Sequence, residues 1–291
     1  MNDRGVIVGG PAQWGWPVLQ RLRWPRLIEA MGPLPHRLSG RPPSPRFVED
    51  WLAASIPATE PVQAPAAWTA WWQAADEAGG RAAVATLAEA WGAPAVVHHV
   101  ARSLPPSAAM HWANSLAIRD GFEFSGGAEA YVNVGVNGID GTLSTALGEA
   151  WAATDRPVCL LTGDLAFLHD QGALLAARDI PGRVTAVVVD NCGGAIFRTP
   201  DIAPQAPAAG WERYLVTPHR TDLVAMCAAH GVPAVRVDRM SALLDATASD
   251  LERPGLGVIV ADVRGCDDDG LRRQVRAAAR AAIDALGPPC A

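Results

Sequence analysis

The chain has 291 residues, 49% of them hydrophobic and 19% charged, with a formal net charge of −6. That length suits two domains, or one large α/β domain with a smaller companion, and the acid excess offers no basic field to a nucleic-acid backbone. Five scattered cysteines, odd in number and without a C-x-x-C pair, indicate neither a disulfide framework nor a zinc site and fit a reducing cytoplasm; no apolar run reaches the roughly 18 residues of a membrane span.

The opening "MNDRGVIVGGPAQ" has no basic segment followed by a long apolar one, and its "RGVIVGGP" reads as a buried strand running into a glycine loop. Prolines are dense from Pro33 to Pro65 and punctuate any long helix there. Residues 1–78 are therefore expected to be a reduced α/β domain plus a Pro-rich linker, and residues 79–291 a larger α/β domain. Trp68, Trp71 and Trp72 fall on one face of a helix, where a core stripe is the favoured reading over a docking surface.

Beyond Gly79 the pattern is regular. Arg81 to Trp91 is Ala-rich and helical, "AVVHHVA" is a strand or a helix end, and "GIDGTLSTALGEAWAA" turns through glycines into a helix. "PVCLLTGD" is a strand, "LHDQGALLAARD" a helix, "RVTAVVVDN" a strand, and "TDLVAMCAAHG" a helix with Thr221 as N-cap and Gly231 past its end. "VPAVRV" and "GLGVIVADV" are strands on either side of the helix "SALLDATASDLER", and "DDDG" opens a final amphipathic helix. Strands alternating with helices imply a parallel sheet with helices on both faces.

In such sheets ligands sit beyond the carboxyl ends of the strands. Asp164 ends one apolar run and Asn191 the next, with 26 residues between them and glycines around both. One βαβ unit would set them on neighbouring strands. A carboxylate, an amide oxygen and a carbonyl from the Gly193 and Gly194 loop form an oxygen-only set suited to Mg²⁺, which completes its octahedron with water and phosphate. The helix starting at Asp164 would offer N–H groups to phosphate oxygens. Taken singly, an Asp at a helix start is more often a cap; the conjunction is what points to a diphosphate site.

The stretches "ANSLAIRD", "NGIDGTLSTALG", "GDLAFLHD" and "VVVDNCGGAIF" together resemble the thiamine diphosphate-dependent enzymes. Within them they are most similar to the menaquinone-pathway family of 2-succinyl-5-enolpyruvyl-6-hydroxy-3-cyclohexene-1-carboxylate synthases. "GRPPSPRF" resembles, more loosely, a middle-domain segment of that family. The resemblance implies a thiamine diphosphate-binding fold with Asp164, Asn191 and the carbonyl of Gly193 on Mg²⁺ or Mn²⁺, and Gly163, Leu165 and Ala166 beside the cofactor. It implies that Ile139 is an apolar wedge bending the cofactor, that Ser115, Arg119 and Arg46 contact substrate, and that Ile196 and Phe197 line the pocket. The implied reaction is a transferase one: decarboxylation of 2-oxoglutarate and addition of the remaining unit to isochorismate. Small dianionic substrates of that kind need guanidinium partners; the plainer reading of Arg119 is an ion pair to Asp120 or Glu123.

Two departures from the family pattern stand out. Val134 occupies the position of an expected arginine, which leaves the substrate open. The family's activating glutamate lies in a pyrimidine-binding domain, and none of Glu123, Glu129 and Glu149 stands in a matching context. No catalytic residue is therefore assigned, and activity is expected to need a pyrimidine-domain polypeptide or another copy in a homo-oligomer. Two other readings remain: a split 2-oxo acid decarboxylase subunit, and a non-catalytic binding or assembly subunit of the same fold. His98 and His99 would point to opposite sides of a strand, which argues against a metal pair; His169 and Asp170 read as structural; Ser103, Ser107, Ser125 and Ser144 lack a nucleophile-elbow context; Cys192 reads as a small filler.

Overall fold

The computed structural model describes residues 66–125, 130–133, 137–199, 202–203 and 209–288. The expected N-terminal strand, the Pro-rich linker, Arg46, Glu129 and Val134 lie outside these. Residues 66–291 form one compact unit. In chain order its elements are α1 (Ala66–Leu87), α2 (Ala93–Ser103), β1 (Ala109–Trp112), α3 (Leu116–Phe124), β2 (Tyr131–Val132), α4 (Thr142–Ala152), β3 (Pro157–Gly163), α5 (Asp164–His169), β4 (Arg183–Asp190), α6 (Leu223–Ala229), β5 (Ala234–Val237), α7 (Met240–Leu251), β6 (Gly255–Asp262) and α8 (Asp268–Asp284).

The six strands form one sheet in the order β2-β1-β3-β4-β6-β5, and every pairing is parallel. Continuous apolar runs make the central strands, and their alternate side chains enter two separate cores. Cys159, Leu161, Val187, Val189 and Ile259 pack toward α2, α3 and α7. Val158, Leu160, Val184, Val188 and Val258 pack toward α4 and α6. Burial on both faces is what a parallel sheet built from βαβ crossovers requires.

Local chemistry sets the helix ends. Pro94 lies in the first turn of α2, where its missing N–H costs nothing. Asp267 accepts the Gly270 N–H at 2.8 Å and caps α8, with Asp268 and Asp269 in the first turn. The cap of α6 is Asp222, not Thr221: its carboxylate accepts the N–H groups of Val224 at 3.0 Å and Ala225 at 3.2 Å. Gly231 follows that helix at φ +71°.

Of the two readings of "AVVHHVA" the helical one holds, and three other expectations are corrected. His98 and His99 are neighbours on helix α2, not on opposite sides of a strand; their ring nitrogens bond the carbonyls of Phe124 (2.6 Å) and Leu87 (3.1 Å). The tryptophan stripe is not core: Trp68 and Trp72 are 43% and 52% exposed, and Trp71 donates its indole N–H to the Gly287 carbonyl at 2.9 Å. The link between β3 and β4 is the six-residue α5 and two 3₁₀ turns, Gln171–Leu175 and Ala177–Asp179, instead of one longer helix. On the far side of the unit a buried pair ties α3 to α8: Arg272 donates to Asp120 through Nε at 2.8 Å and Nη2 at 2.6 Å.

Candidate diphosphate and metal site

Four adjacent strands bring the candidate residues to one edge of the sheet. Ser115 and Arg119 follow β1, Ile139 follows β2, Gly163 and Asp164 end β3, and Asn191 and Gly193 follow β4. All of them lie beyond carboxyl ends, where a parallel sheet leaves a crevice for ligands.

Gly163 pairs in register with Val189, so Asp164 and Asp190 leave the sheet side by side with Asn191 one residue further. Asp164 is 1% exposed. Its Oδ1 accepts the Leu165 N–H at 2.6 Å, and its Oδ2 accepts the Gly193 N–H at 2.8 Å. Burial pushes this carboxyl above the usual aspartate range; the Gly193 N–H and His219 oppose it by favouring the charged form. The Leu165 N–H is thus engaged by Asp164 itself, and the six-residue α5 presents less free backbone to a phosphate than expected.

The glycine loop has a specific geometry. Gly193 lies at φ +130°, and a Cβ there would meet the Val216 carbonyl oxygen at 2.6 Å. The Gly194 N–H donates to that same carbonyl at 2.7 Å. Two glycines are needed because the segment around Val216 to Pro218 runs directly against the loop. Cys192, at φ +64°, donates its thiol to the His219 carbonyl at 2.9 Å, a second tie to that segment.

The donor set fits a hard divalent cation. Asn191 Oδ1 is buried and has no hydrogen-bond partner, an orphaned acceptor of the kind that a metal ion would satisfy. Asp164 supplies a carboxylate, and the Gly193 carbonyl, although it accepts the Ala195 N–H at 2.9 Å, has a second lone pair. Two groups that the sequence reading passed over lie beside this set. His219 Nε2 lies 3.2 Å from Asp164 Oδ2, and Asp190, Asp164 and His219 each offer a ligand atom within 4.8 Å of the others. Asp190 was visible beside Asn191 but reads as a strand end; nothing in the spacing of "VTPHR" marks His219.

The remaining residues lie on the segments that follow β1, β2 and the glycine loop. Ser115 adopts φ +71°, ψ −131°, an uncommon region for a non-glycine residue. Arg119 donates Nη1 to the Ser115 carbonyl at 2.6 Å, so the helix start and the guanidinium are locked together. Of the two acids near Arg119 in sequence, Asp120 binds Arg272 and Glu123 binds Arg276. Asn114, 2% exposed, donates its amide to the carbonyl of Asn133 at 2.6 Å and to that of Gly138, joining the Ser115 segment to the turn that carries Ile139. Ile139 packs partly buried against the core. Ile196 and Phe197 lie in the 3₁₀ turn Ala195–Arg198, with the Phe197 ring edge-on to Trp211 at 6.4 Å. Asp170 has a structural task, accepting the Ser144 N–H at 2.7 Å and its hydroxyl at 2.9 Å at the start of α4.

The chain is similar to known proteins. The family model "Thiamine pyrophosphate enzyme, C-terminal TPP binding domain" matches residues 122–261. The chain is 39% identical over 208 residues to the 2-succinyl-5-enolpyruvyl-6-hydroxy-3-cyclohexene-1-carboxylate synthase of a Synechococcus sp., an alignment covering 69% of this chain and 34% of that protein. It is 44% identical over 156 residues to the synthase of the same name from Kineococcus radiotolerans, covering 47% of this chain and 27% of the relative. Among solved structures, benzoylformate decarboxylase from Polynucleobacter necessarius superposes with a TM-score of 0.50 at 20% identity, covering 59% of this chain and 33% of that one, a likeness of fold. The chain spans about a third of the length of the relatives that it matches.

Proposed function

From the premise that residues 122–261 belong to the C-terminal thiamine pyrophosphate-binding domains, we propose that this chain supplies the diphosphate-binding half of a thiamine diphosphate- and Mg²⁺-dependent synthase. The synthase would join decarboxylated 2-oxoglutarate to isochorismate in menaquinone biosynthesis. The names of the relatives support the reaction, and the orphaned Asn191 Oδ1, one residue beyond the Asp190 that leaves the sheet beside Asp164, is the observation that carries the site.

Asp164, Asn191 and the Gly193 carbonyl would hold the metal, which would neutralise a bound diphosphate. The chemistry that bound thiamine diphosphate supplies is stabilisation of the carbanion left when a 2-oxo acid loses CO₂. Ser115 and Arg119 receive substrate carboxylates; burial lowers the affinity of the Arg119 guanidinium for its proton, and Asp120 opposes that shift. Ile139, in the β2 to α4 turn, would be the apolar contact to the cofactor, and Ile196 and Phe197 would help to keep water from the pocket.

The partner is a pyrimidine-domain polypeptide or a second copy that brings one, and it supplies the activating acid. The compartment is the cytoplasm; the four described cysteines, Cys159, Cys192, Cys227 and Cys266, are free, and no helix among the described residues is long and apolar enough to cross a membrane.

Calorimetry of thiamine diphosphate binding in Mg²⁺ tests the site. Asp164→Ala is expected to weaken binding at least tenfold; equal binding by wild type and variant would refute the metal assignment. Mixing the chain with a pyrimidine-domain protein and following CO₂ release from 2-oxoglutarate, with and without isochorismate, tests the reaction. A stable complex without turnover would leave the binding-subunit reading instead.

A further inference from the structure

Behind the metal loop, the carboxyl ends of β4, β5 and β6 carry a layer of charge that the proposed site does not use. Asp190, 1% exposed, is the last residue of β4 and the neighbour of Asn191. Its Oδ2 accepts Arg236 Nη1 from β5 at 2.8 Å, its Oδ1 accepts the Cys192 N–H at 3.3 Å, and Arg264 Nε is 3.9 Å away. Arg236 also reaches Asp262 at 3.5 Å and Asp222 at 3.7 Å, while Arg264 is held by Asp262 at 2.8 Å. Arg236 is therefore the principal cation on Asp190.

Seen from the other side, Asp190 faces the metal site. One oxygen of Asp190, one of Asp164 and a ring nitrogen of His219 all lie within 4.8 Å of one another. Ligand atoms opposite each other around a cation with bonds of about 2.1 Å are about 4.2 Å apart. The three groups are thus close enough together to share one cation, and what keeps Asp190 from doing so must be its other partners. As a set, two carboxylates and an imidazole suit Mn²⁺ or Zn²⁺, whereas Asp164 with two neutral oxygens suits Mg²⁺ and leaves its remaining charge to a diphosphate.

We propose that Arg236 is a positioning residue that holds Asp190 out of the coordination sphere, so that the protein presents one carboxylate to the metal and the cation is retained only together with the cofactor's diphosphate. The inference rests on the metal site proposed above. Two physical effects combine in it. The bond to Arg236 turns the Asp190 carboxylate toward β5, and the guanidinium cancels the second negative charge that would draw a cation into the site without cofactor. Arg236 thereby makes metal binding conditional on diphosphate and biases the choice of metal toward Mg²⁺.

The test is a titration of the full chain with Mn²⁺ alone, followed by the electron paramagnetic resonance of the free ion. Arg236→Met is expected to bind Mn²⁺ at least tenfold more tightly than wild type, a gain that structural damage does not produce. Arg236→Lys, which keeps the cation, stays within threefold of wild type, and Arg236→Met combined with Asp190→Asn returns to that range. Wild-type or weaker Mn²⁺ binding by Arg236→Met with a native circular dichroism spectrum overturns the proposal.

Should Arg236→Met not fold, Asp190→Asn alone decides. With thiamine diphosphate present it keeps Mn²⁺ affinity within threefold if Asp190 is held off, and a tenfold loss makes Asp190 a wild-type ligand and overturns the idea. Failure of the underlying site has a different signature: wild type and Asp164→Ala then retain Mn²⁺ equally in the presence of thiamine diphosphate.

Discussion

At the residue scale, Asp164 and Asn191 were legible because each ends an apolar run, and a polar residue at that point of a parallel strand has few roles besides a cap or a ligand contact. His219 and Arg236 were not, since they reach Asp164 and Asp190 from positions 55 and 46 residues away along the chain. Asp268 shows another limit of reading charge from sequence. "DDDG" announces a helix start, but only the fold puts Asp268 under α2, where it accepts the Ala93 N–H at 2.8 Å and burial pushes its carboxyl up to about 6. The folded value lies above the unfolded one, so the native state holds this proton more tightly. The stability linked to it is present below about pH 4 and is lost as pH rises through 6, up to about 3 kcal/mol. Asp268→Asn keeps an oxygen for the Ala93 N–H and has no charge to bury. Denaturant midpoints of variant and wild type should diverge in favour of the variant between pH 4 and 6 and stay parallel above it. A constant difference across that range would assign the role of Asp268 to something other than its ionisation.

At the scale of elements, most boundaries followed from local rules and the exceptions have local causes. Thr221 and Asp222 are adjacent N-cap candidates with similar propensity, and which one caps α6 depends on where the chain arrives from the preceding loop. "AVVHHVA" is a short apolar run interrupted by two histidines, a pattern that fits a buried helix as well as a strand; Pro94 in the first turn settles it as helix α2. The Gly193 and Gly194 loop is the element on which the site depends. Gly193→Ala meets both a φ of +130° and the Val216 carbonyl at 2.6 Å. It should lower stability by about 2 kcal/mol or more and weaken cofactor binding at least tenfold. Gly231→Ala has φ +71° but open space around its Cβ, and should cost only about 1 kcal/mol with binding unchanged. Urea midpoints and calorimetry on the pair separate strain from collision; equal losses in both variants would remove the close approach of Val216 as the reason for the glycine.

For the whole molecule, a metal and diphosphate at the proposed site would join the ends of β3 and β4, the two strands at the centre of the sheet, and would link binding to global stability. Ligand at a hundred times its dissociation constant adds about 2.7 kcal/mol, which for a unit of this size raises Tm by about 5 to 10 °C. Scanning calorimetry with thiamine diphosphate and Mg²⁺ should show that rise and EDTA should abolish it. A rise that survives EDTA would mean that the cofactor is held without the metal. The alternation of strands and helices, the parallel sheet and the two polar strand ends were determined by the sequence alone, because apolar runs and capping chemistry act within a few residues. The tertiary structure alone decided the strand order β2-β1-β3-β4-β6-β5, the exposure of Trp68 and Trp72, and the meeting of Asp190 with Arg236 and of Asp164 with His219. Those depend on how crossovers lay distant segments against one another, which no local pattern encodes.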